Sequence, residues 1–426
     1  MTSCLLDFGK KRMKIDIPDN NFLGLIGPHH VKSVTCERKE IERALRNPIG
    51  NAGIEASVRK DKKTIVVVDD YTRPTPIHKI LPIILNRLNE VGIEDQDIKV
   101  LVALGTHRVM TEDEIIQKIG KQAYERVPVL NHYWKQKEML IELGKTPSGV
   151  PLIVNRNYLE ASLRIGIGHI VPHCQAGWTG GAKIVQPGVC GAETTDCTHW
   201  LSAGFDVRNL LGVANNPVRL EIENVVRNIG LDFIVNVILN DRKEIVKTVC
   251  GDFVEAHRVG VEHAKTIYMT KIPERADTVI CDALPSGYAV DLWQAGKAII
   301  SAYLAVKKGG TIILIAPCPE GVSTEHPELS EVGHRPYAEV KKLLQSGDMR
   351  DLNAAATSAQ IGQVLADGVR IVLYSRGISR KETERLGFEY TNNPQDAIDD
   401  CLERYGYRAR TLVMQYACEI LPVLET

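Results

Sequence analysis

Residues 166–199, GIGHIVPHCQAGWTGGAKIVQPGVCGAETTDCTH, hold three of the chain's twelve histidines (His169, His173, His199), one lysine (Lys183) and no other charged side chain before Glu193. Imidazoles exchange protons near neutral pH or ligate a metal, and a lone amine can serve as a nucleophile or a fixed charge. Two further candidates lie upstream. His107 closes the apolar run IKVLVALGTH at 98–107, and Arg73 follows Asp70 by three residues in DDYTRPTP, where a guanidinium can grip a carboxylate through two hydrogen bonds. A solvent-facing loop as long as 166–199 would be dotted with charge, so its composition predicts that it lines an interior cavity.

Two familiar motifs are approached and missed. His169 and His173 have the i, i+4 spacing of a zinc-binding helix, but Pro172 between them cannot sit inside a helix and the glutamate of that motif is absent. GWTGGAKI at 177–184 resembles a phosphate loop, yet Ala182 precedes the lysine and Ile184 follows it, so neither the second glycine nor the metal-binding hydroxyl is present. What remains is a turn whose glycines, Gly177, Gly180 and Gly181, let backbone N–H groups approach an anion beside Lys183. Any single histidine here is more often a hydrogen-bonded structural residue; the combination of His107 ending a buried strand, His173 after a proline and His199 in TTDCTHW points to a site. Trp293, Gln294 and Lys297, in LWQAGK, read on their own as core and solvated helix positions.

Positioning these groups calls for a parallel sheet. TIVVVDD at 64–70, IKVLVA from 98 and LRIGIG at 163–168 are β-branched or apolar runs alternating with amphipathic helices, the second helix opened by a capping box of Thr111 and Glu114. Their ends deliver Asp70 and Arg73, then His107, then His173, which converge only if the three strands are neighbours. The alternation resumes with DTVICD, TIILIAP, RIVLYS and TLVMQ, after KIPERADT at 271–278, which reads as a linker. The expected fold is therefore α/β: two Rossmann-like domains with mostly parallel sheets, 1–270 carrying the histidines and 271–426 contributing substrate-binding residues, with the active site in the cleft between them.

Composition narrows the partners. The chain has 426 residues, 44% hydrophobic and 25% charged, and 52 Lys and Arg nearly cancel 53 Asp and Glu, so there is no global field to attract nucleic acid or anionic lipid. Ten cysteines are scattered without a CxxC pair, which suits a reducing compartment. No long apolar run and no signal-peptide pattern appear, so a cytoplasmic enzyme acting on a small molecule is expected.

DDYTRPTP, ALGTHR, GHIVPHCQAGWTGGAKIVQPGVCG, the downstream CTH and the helix WQAGK together resemble the nickel-dependent lactate racemase family, in the same order and over most of the chain. That family carries a nickel-pincer nucleotide, a pyridinium-derived mononucleotide with two sulfur arms. It is joined through a thioamide to a lysine, and a histidine completes the nickel coordination. The resemblance implies that Lys183 bears the cofactor with Gly180 and Gly181 beside it, that His199 ligates nickel, and that His107 and His173 form the acid/base pair. It also implies that Arg73, Gln294 and Lys297 meet the substrate carboxylate and hydroxyl, with Asp70 in support and Trp293 alongside. Cofactor-synthesis proteins are implied as partners. The implied reaction is inversion at C2 of a 2-hydroxy acid by hydride transfer through a 2-keto acid. The family's lactate-specific members carry tyrosine where this chain has Trp293, a change that removes a hydroxyl and adds bulk and leaves dicarboxylic, aromatic and sugar acids open as substrates. Two other readings stand beside this one. A nicotinamide-type dehydrogenase would share the architecture, although no G-x-G-x-x-G closes a first strand. A non-enzymatic carrier of the nickel nucleotide would need Lys183, His199 and the glycines alone.

Overall fold

The computed structural model describes residues 1–9, 11–59, 61 and 63–425. Thr64–Asp69 is buried at every position, and the strands Ile98–Ala103 and Leu163–His169 pair with it in parallel on either side. Continuous apolar runs of this kind form where helices cover both faces of a parallel sheet. The sheet has six strands, in the order Ile245–Gly251, Phe233–Leu239, Leu163–His169, Thr64–Asp69, Ile98–Ala103 and Val129–Asn131, and only the first pair is antiparallel. Helix Ile77–Glu90 buries Ile77, Ile80, Leu81, Ile84, Leu85 and Leu88 against it, the stripe that a 3.6-residue period places on one face. The capping box of Thr111 and Glu114 is present at the start of helix Glu112–Ile119.

A second six-stranded sheet is parallel throughout: Glu389–Tyr390, Arg370–Tyr374, Val306–Ile315, Ala276–Asp282, Thr411–Met414 and Phe22–Ile26. Its edge strand Phe22–Ile26 comes from the N-terminal end of the chain. The preceding hairpin, Thr2–Phe8 with Lys11–Ile17, packs Leu6, Phe8, Ile15 and Ile17 on Ile280, Ile313 and Val372 of this sheet. Sheet membership and sequence order therefore part company in the first 26 residues. The segment 271–278, expected as a linker, instead completes one strand and begins another. Met269–Ile272 pairs in parallel with Leu421–Leu424, and Ala276 starts the strand that runs to Asp282. Among the described residues no helix is long and apolar enough to cross a membrane.

Candidate active site

Three adjacent strands of the first sheet end on one side of a partly open cavity of about 1120 Å³, counting the solvent space at its mouth. After Asp69 the chain turns through Asp70, Thr72 and Arg73; after Ala103 it turns through Thr106 and His107; after His169 it enters the segment that holds His173 and Lys183. The helices Leu292–Ala305 and Leu352–Ala366 close the cavity from the other side with Trp293, Gln294 and Lys297 and with Thr357 and Gln360. Asp70, Arg73, His107, His173, Gly180, Lys183, His199, Trp293, Gln294 and Lys297 all line this space. Most of the charge-poor segment is buried, as its composition predicts.

The two catalytic candidates are held differently. His107 Nδ1 lies 2.5 Å from Asp70 Oδ2, and its Nε2 is 2.9 Å from the side-chain amide nitrogen of Gln294. A carboxylate at Nδ1 fixes the proton there, so Nε2 presents its lone pair to the cavity and accepts from Gln294. Asp70 also accepts from the Thr72 amide at 3.0 Å and hydroxyl at 2.5 Å. Burial alone would raise its pKa, but His107, Arg73 and these donors hold the carboxyl well below the usual range. His173 belongs to a tight turn in which Pro172–His173 pairs with Gly177–Trp178. Its Nδ1 accepts from the amides of Gln175 and Ala176, each at 3.2 Å, so the proton of the neutral ring sits on Nε2. Burial first, then the charges of Lys183, Lys297, Arg73 and His199, push its pKa well below the ordinary value.

Arg73 and Lys297 lie over the same ring, 5.1 and 5.0 Å from the centroid of Tyr288. Both donate to Gln294 Oε1, Arg73 at 3.3 Å and Lys297 through a short contact. Burial, helped by Arg73, lowers Lys297 to about 7. Gln294 and Lys297, three residues apart, share a helix face, and Asp291 caps the helix by accepting from the Gln294 amide. The indole of Trp293 stacks on His326, with centroids 4.3 Å apart and 15° between planes.

Lys183 stands in the short turn Gly181–Ile184, and among the described residues no side chain hydrogen-bonds or ion-pairs with its amine. Burial first, then Arg73, Lys297 and Arg219, lowers its pKa well below the ordinary value. His199, on helix Ala192–Ala203, has Nδ1 2.9 Å from the carbonyl of Thr195, so Nδ1–H donates and Nε2 carries a lone pair; burial and Lys183 push it down to about 3. The two glycines of the turn sit differently. Gly181 is not among the lining residues: its N–H is taken by Asn236 Oδ1 at 2.8 Å, and a Cβ there would meet the carbonyl of Phe253 at 2.7 Å. Gly180 does line the cavity, but a Cβ on it would meet Asn236 Oδ1, again at 2.7 Å. Close protein neighbours are by themselves enough to require glycine at both positions.

Two residues at the site escape the sequence reading, Tyr288 beneath the two cations and His326 behind Trp293, and a third, His169, is singled out there without its partner. The last hydrogen-bonds Thr75 at 2.7 Å and leaves its buried Nε2 unpartnered, 4.0 Å from Glu419 Oε1. Each depends on a contact made by chain remote in sequence, which no local pattern signals.

Comparison with known proteins gives this geometry a family. Residues 8–207 match the model of the lactate racemase N-terminal domain. The chain is 31% identical over 423 residues to the lactate racemase of Lactiplantibacillus plantarum, covering 97% of this chain and 98% of that one. It is 29% identical over 330 residues to the lactate racemase of Thermoanaerobacterium thermosaccharolyticum, covering 75% and 76%. Among solved structures, the lactate racemase apoprotein from T. thermosaccharolyticum superimposes with a TM-score of 0.86 at 23% identity over 100% of both chains. A protein from Thermotoga maritima superimposes with a TM-score of 0.76 at 23% identity, over 93% of this chain and 100% of that one. The structures establish the α/β fold, and the near-complete alignment to a relative above 30% identity establishes more: the chain is a racemase and belongs to the lactate racemase family.

Proposed function

We propose that the protein inverts C2 of a 2-hydroxy acid by proton-coupled hydride transfer through a planar 2-keto acid, with a nickel-pincer nucleotide joined to Lys183. The cofactor residues suit the group. A covalent link through the Lys183 amine removes a charge that burial and three neighbouring cations already disfavour, and an amine kept neutral is the nucleophilic form. His199 has the arrangement of a metal-binding imidazole, with Nδ1–H anchored on a carbonyl and Nε2 bare. Among the described residues no three His, Cys, Asp or Glu side chains cluster to hold a metal, so a metal beside His199 must bring its other donors with it, as a nucleotide with two sulfur arms does. When bound, the nucleotide supplies a reversible hydride acceptor.

The chain's own residues do the rest. The C2 proton of a hydroxy acid is barely acidic because the neighbouring carboxylate is already negative, so removing hydrogen as hydride avoids a dianion. That requires a base for the hydroxyl proton. His107 Nε2 is that base, and Asp70 stabilises the imidazolium that results. Gln294, which donates to Nε2 in the free site, marks the position of the substrate hydroxyl. Arg73 and Lys297 pair with the carboxylate and keep C1 in place while the planar intermediate exposes its other face. His173 holds the C2 oxygen through Nε2–H as carbonyl character develops. The strand ends on one side and the helices Leu292–Ala305 and Leu352–Ala366 on the other confine these groups.

The observation that carries this reading is the meeting, in one cavity, of the unpaired Lys183 amine, the bare His199 Nε2 and the Asp70–His107 pair. It is tested by the intact mass and nickel content of protein co-produced with a cofactor-synthesis pathway, beside Lys183→Ala treated identically. A mass increase with one nickel per chain, lost in the variant, followed by interconversion of D- and L-2-hydroxy acids, is expected. An unmodified, nickel-free chain while a control racemase matures in parallel would overturn it.

A further inference from the structure

The side chains on both sides of His107, Thr106 and Arg108, are gripped by a single loop, residues 320–326. Thr106 Oγ1 is 3.0 Å from His326 Nε2. Arg108 forms two hydrogen bonds with Glu320, at 3.0 and 3.2 Å. The carbonyl of His107 itself accepts from the indole N–H of Trp134 at 3.0 Å. Trp134 is held in turn: its ring stacks on His326 at 6.3 Å with 17° between planes, and its neighbour Lys135 pairs with Glu325 at 2.5 Å. His326 is 4% exposed and both ring nitrogens are engaged, since Nδ1 lies 2.7 Å from Asp351 Oδ2. Asp351 caps helix Leu352–Ala366, which carries Thr357 and Gln360 into the cavity. The imidazole also stacks on Trp293, next to the Gln294 that bonds His107 Nε2.

We propose that His326 is a positioning residue for His107: through Thr106, Trp134 and Trp293 it fixes the base against the substrate. Its ring touches neither the two cations nor the Lys183 amine, so it acts through its neighbours. A misplacement of the order of 1 Å in a catalytic group can cost about a hundredfold in rate; Asp70 and Gln294 orient the His107 ring, and the contacts around His326 place the turn that carries it. The kinetic half of the proposal rests on the racemase reading; the structural half does not.

The test uses T106V, H326F and the double variant in cofactor-loaded protein. H326F keeps the stack on Trp293 and Trp134 and loses both hydrogen bonds, while T106V removes the Thr106 partner without changing its shape. Each single change should lower kcat roughly tenfold or more with KM within about twofold, and the double variant should lose no more than the worse single one, because both cut the same link. In the unloaded protein the indole N–H resonance of Trp134, assigned with W134F, should shift in both singles. Values of kcat within twofold of the parent, losses that add, a loss confined to KM, or an unmoved resonance would each overturn the proposal. If the parent interconverts no 2-hydroxy acid, the racemase reading fails, and the Trp134 resonance still decides whether His326 sets the His107 loop. T106V alone suffices should H326F not fold.

Discussion

His107 Nδ1 lies 2.5 Å from Asp70 Oδ2, and the two residues follow the ends of neighbouring parallel strands. The pair fixes the tautomer that leaves His107 Nε2 free to take a proton. Asp70→Asn keeps the shape but offers an amide, which favours the opposite tautomer and no longer balances an imidazolium. We expect kcat to fall about 10²- to 10⁴-fold, with KM little changed and cofactor loading intact. Initial rates on both enantiomers, normalised to nickel content, check this; a loss under threefold would mean that Asp70 does not orient the base.

His173 is held in the other tautomer. Protonating Nδ1 would set a third donor against the amides of Gln175 and Ala176, and the surrounding cations oppose a charged ring as well. We therefore propose that His173 acts as a neutral donor rather than as the second half of an acid/base pair, a role that a glutamine can partly replace. His173→Gln should retain at least about tenfold more activity than His173→Ala, whereas His107→Gln should be no better than His107→Ala, since an amide cannot accept a proton at neutral pH. Equal losses in the two His173 variants would contradict the tautomer assignment.

How much of this was legible beforehand follows from how local each signal is. Thr64–Asp69 and its neighbours announce themselves because a strand buried on both faces needs an unbroken apolar run, and the order of their loops gave Asp70, Arg73, His107 and His173. Lys183 and His199 stand out through motif resemblance and the low charge around them. Phe22–Ile26 joins the second sheet by pairing with Thr411–Met414 at the far end of the chain, and Tyr288 and His326 matter through what they touch across the cleft. Such contacts leave no periodicity or spacing behind. Gly180 and Gly181 stand out in the sequence without a cause attached, because a glycine required by a neighbouring carbonyl or amide looks the same there as one approached by a ligand.

Lys297 sets the expected pH dependence. Its pKa is lowered to about 7, so in the free site the ammonium is present below that pH and is lost above it. A substrate carboxylate favours the charged form, so binding at higher pH must take up a proton. KM should then rise by up to tenfold per pH unit above about 7, with kcat at saturation changing less. Lys297→Arg, charged throughout, should flatten this rise at some cost in kcat, because the planar fork does not reproduce a point charge. A KM independent of pH between 6.5 and 9 would show that Lys297 does not hold the carboxylate.

Gly177 ties the His173 turn to the rest of the site, and its requirement can be separated from ordinary turn strain. Its φ is +73°, and a Cβ would stand 2.1 Å from the carbonyl oxygen of Val213, backbone that cannot swing aside. Gly144 also has a positive φ, +99°, but a Cβ there meets nothing within 4 Å. Gly144→Ala should therefore cost only the backbone strain, about 1 kcal/mol. Gly177→Ala adds the clash and should cost about 2–4 kcal/mol, read as a lower urea midpoint at unchanged slope. Because the clash pushes directly on the segment whose amides hold His173 Nδ1, Gly177→Ala should also lose activity at urea concentrations where it is still folded, and Gly144→Ala should not. Equal destabilisation of the two variants would mean that φ alone dictates glycine at 177 and that the close approach to Val213 is relieved without consequence.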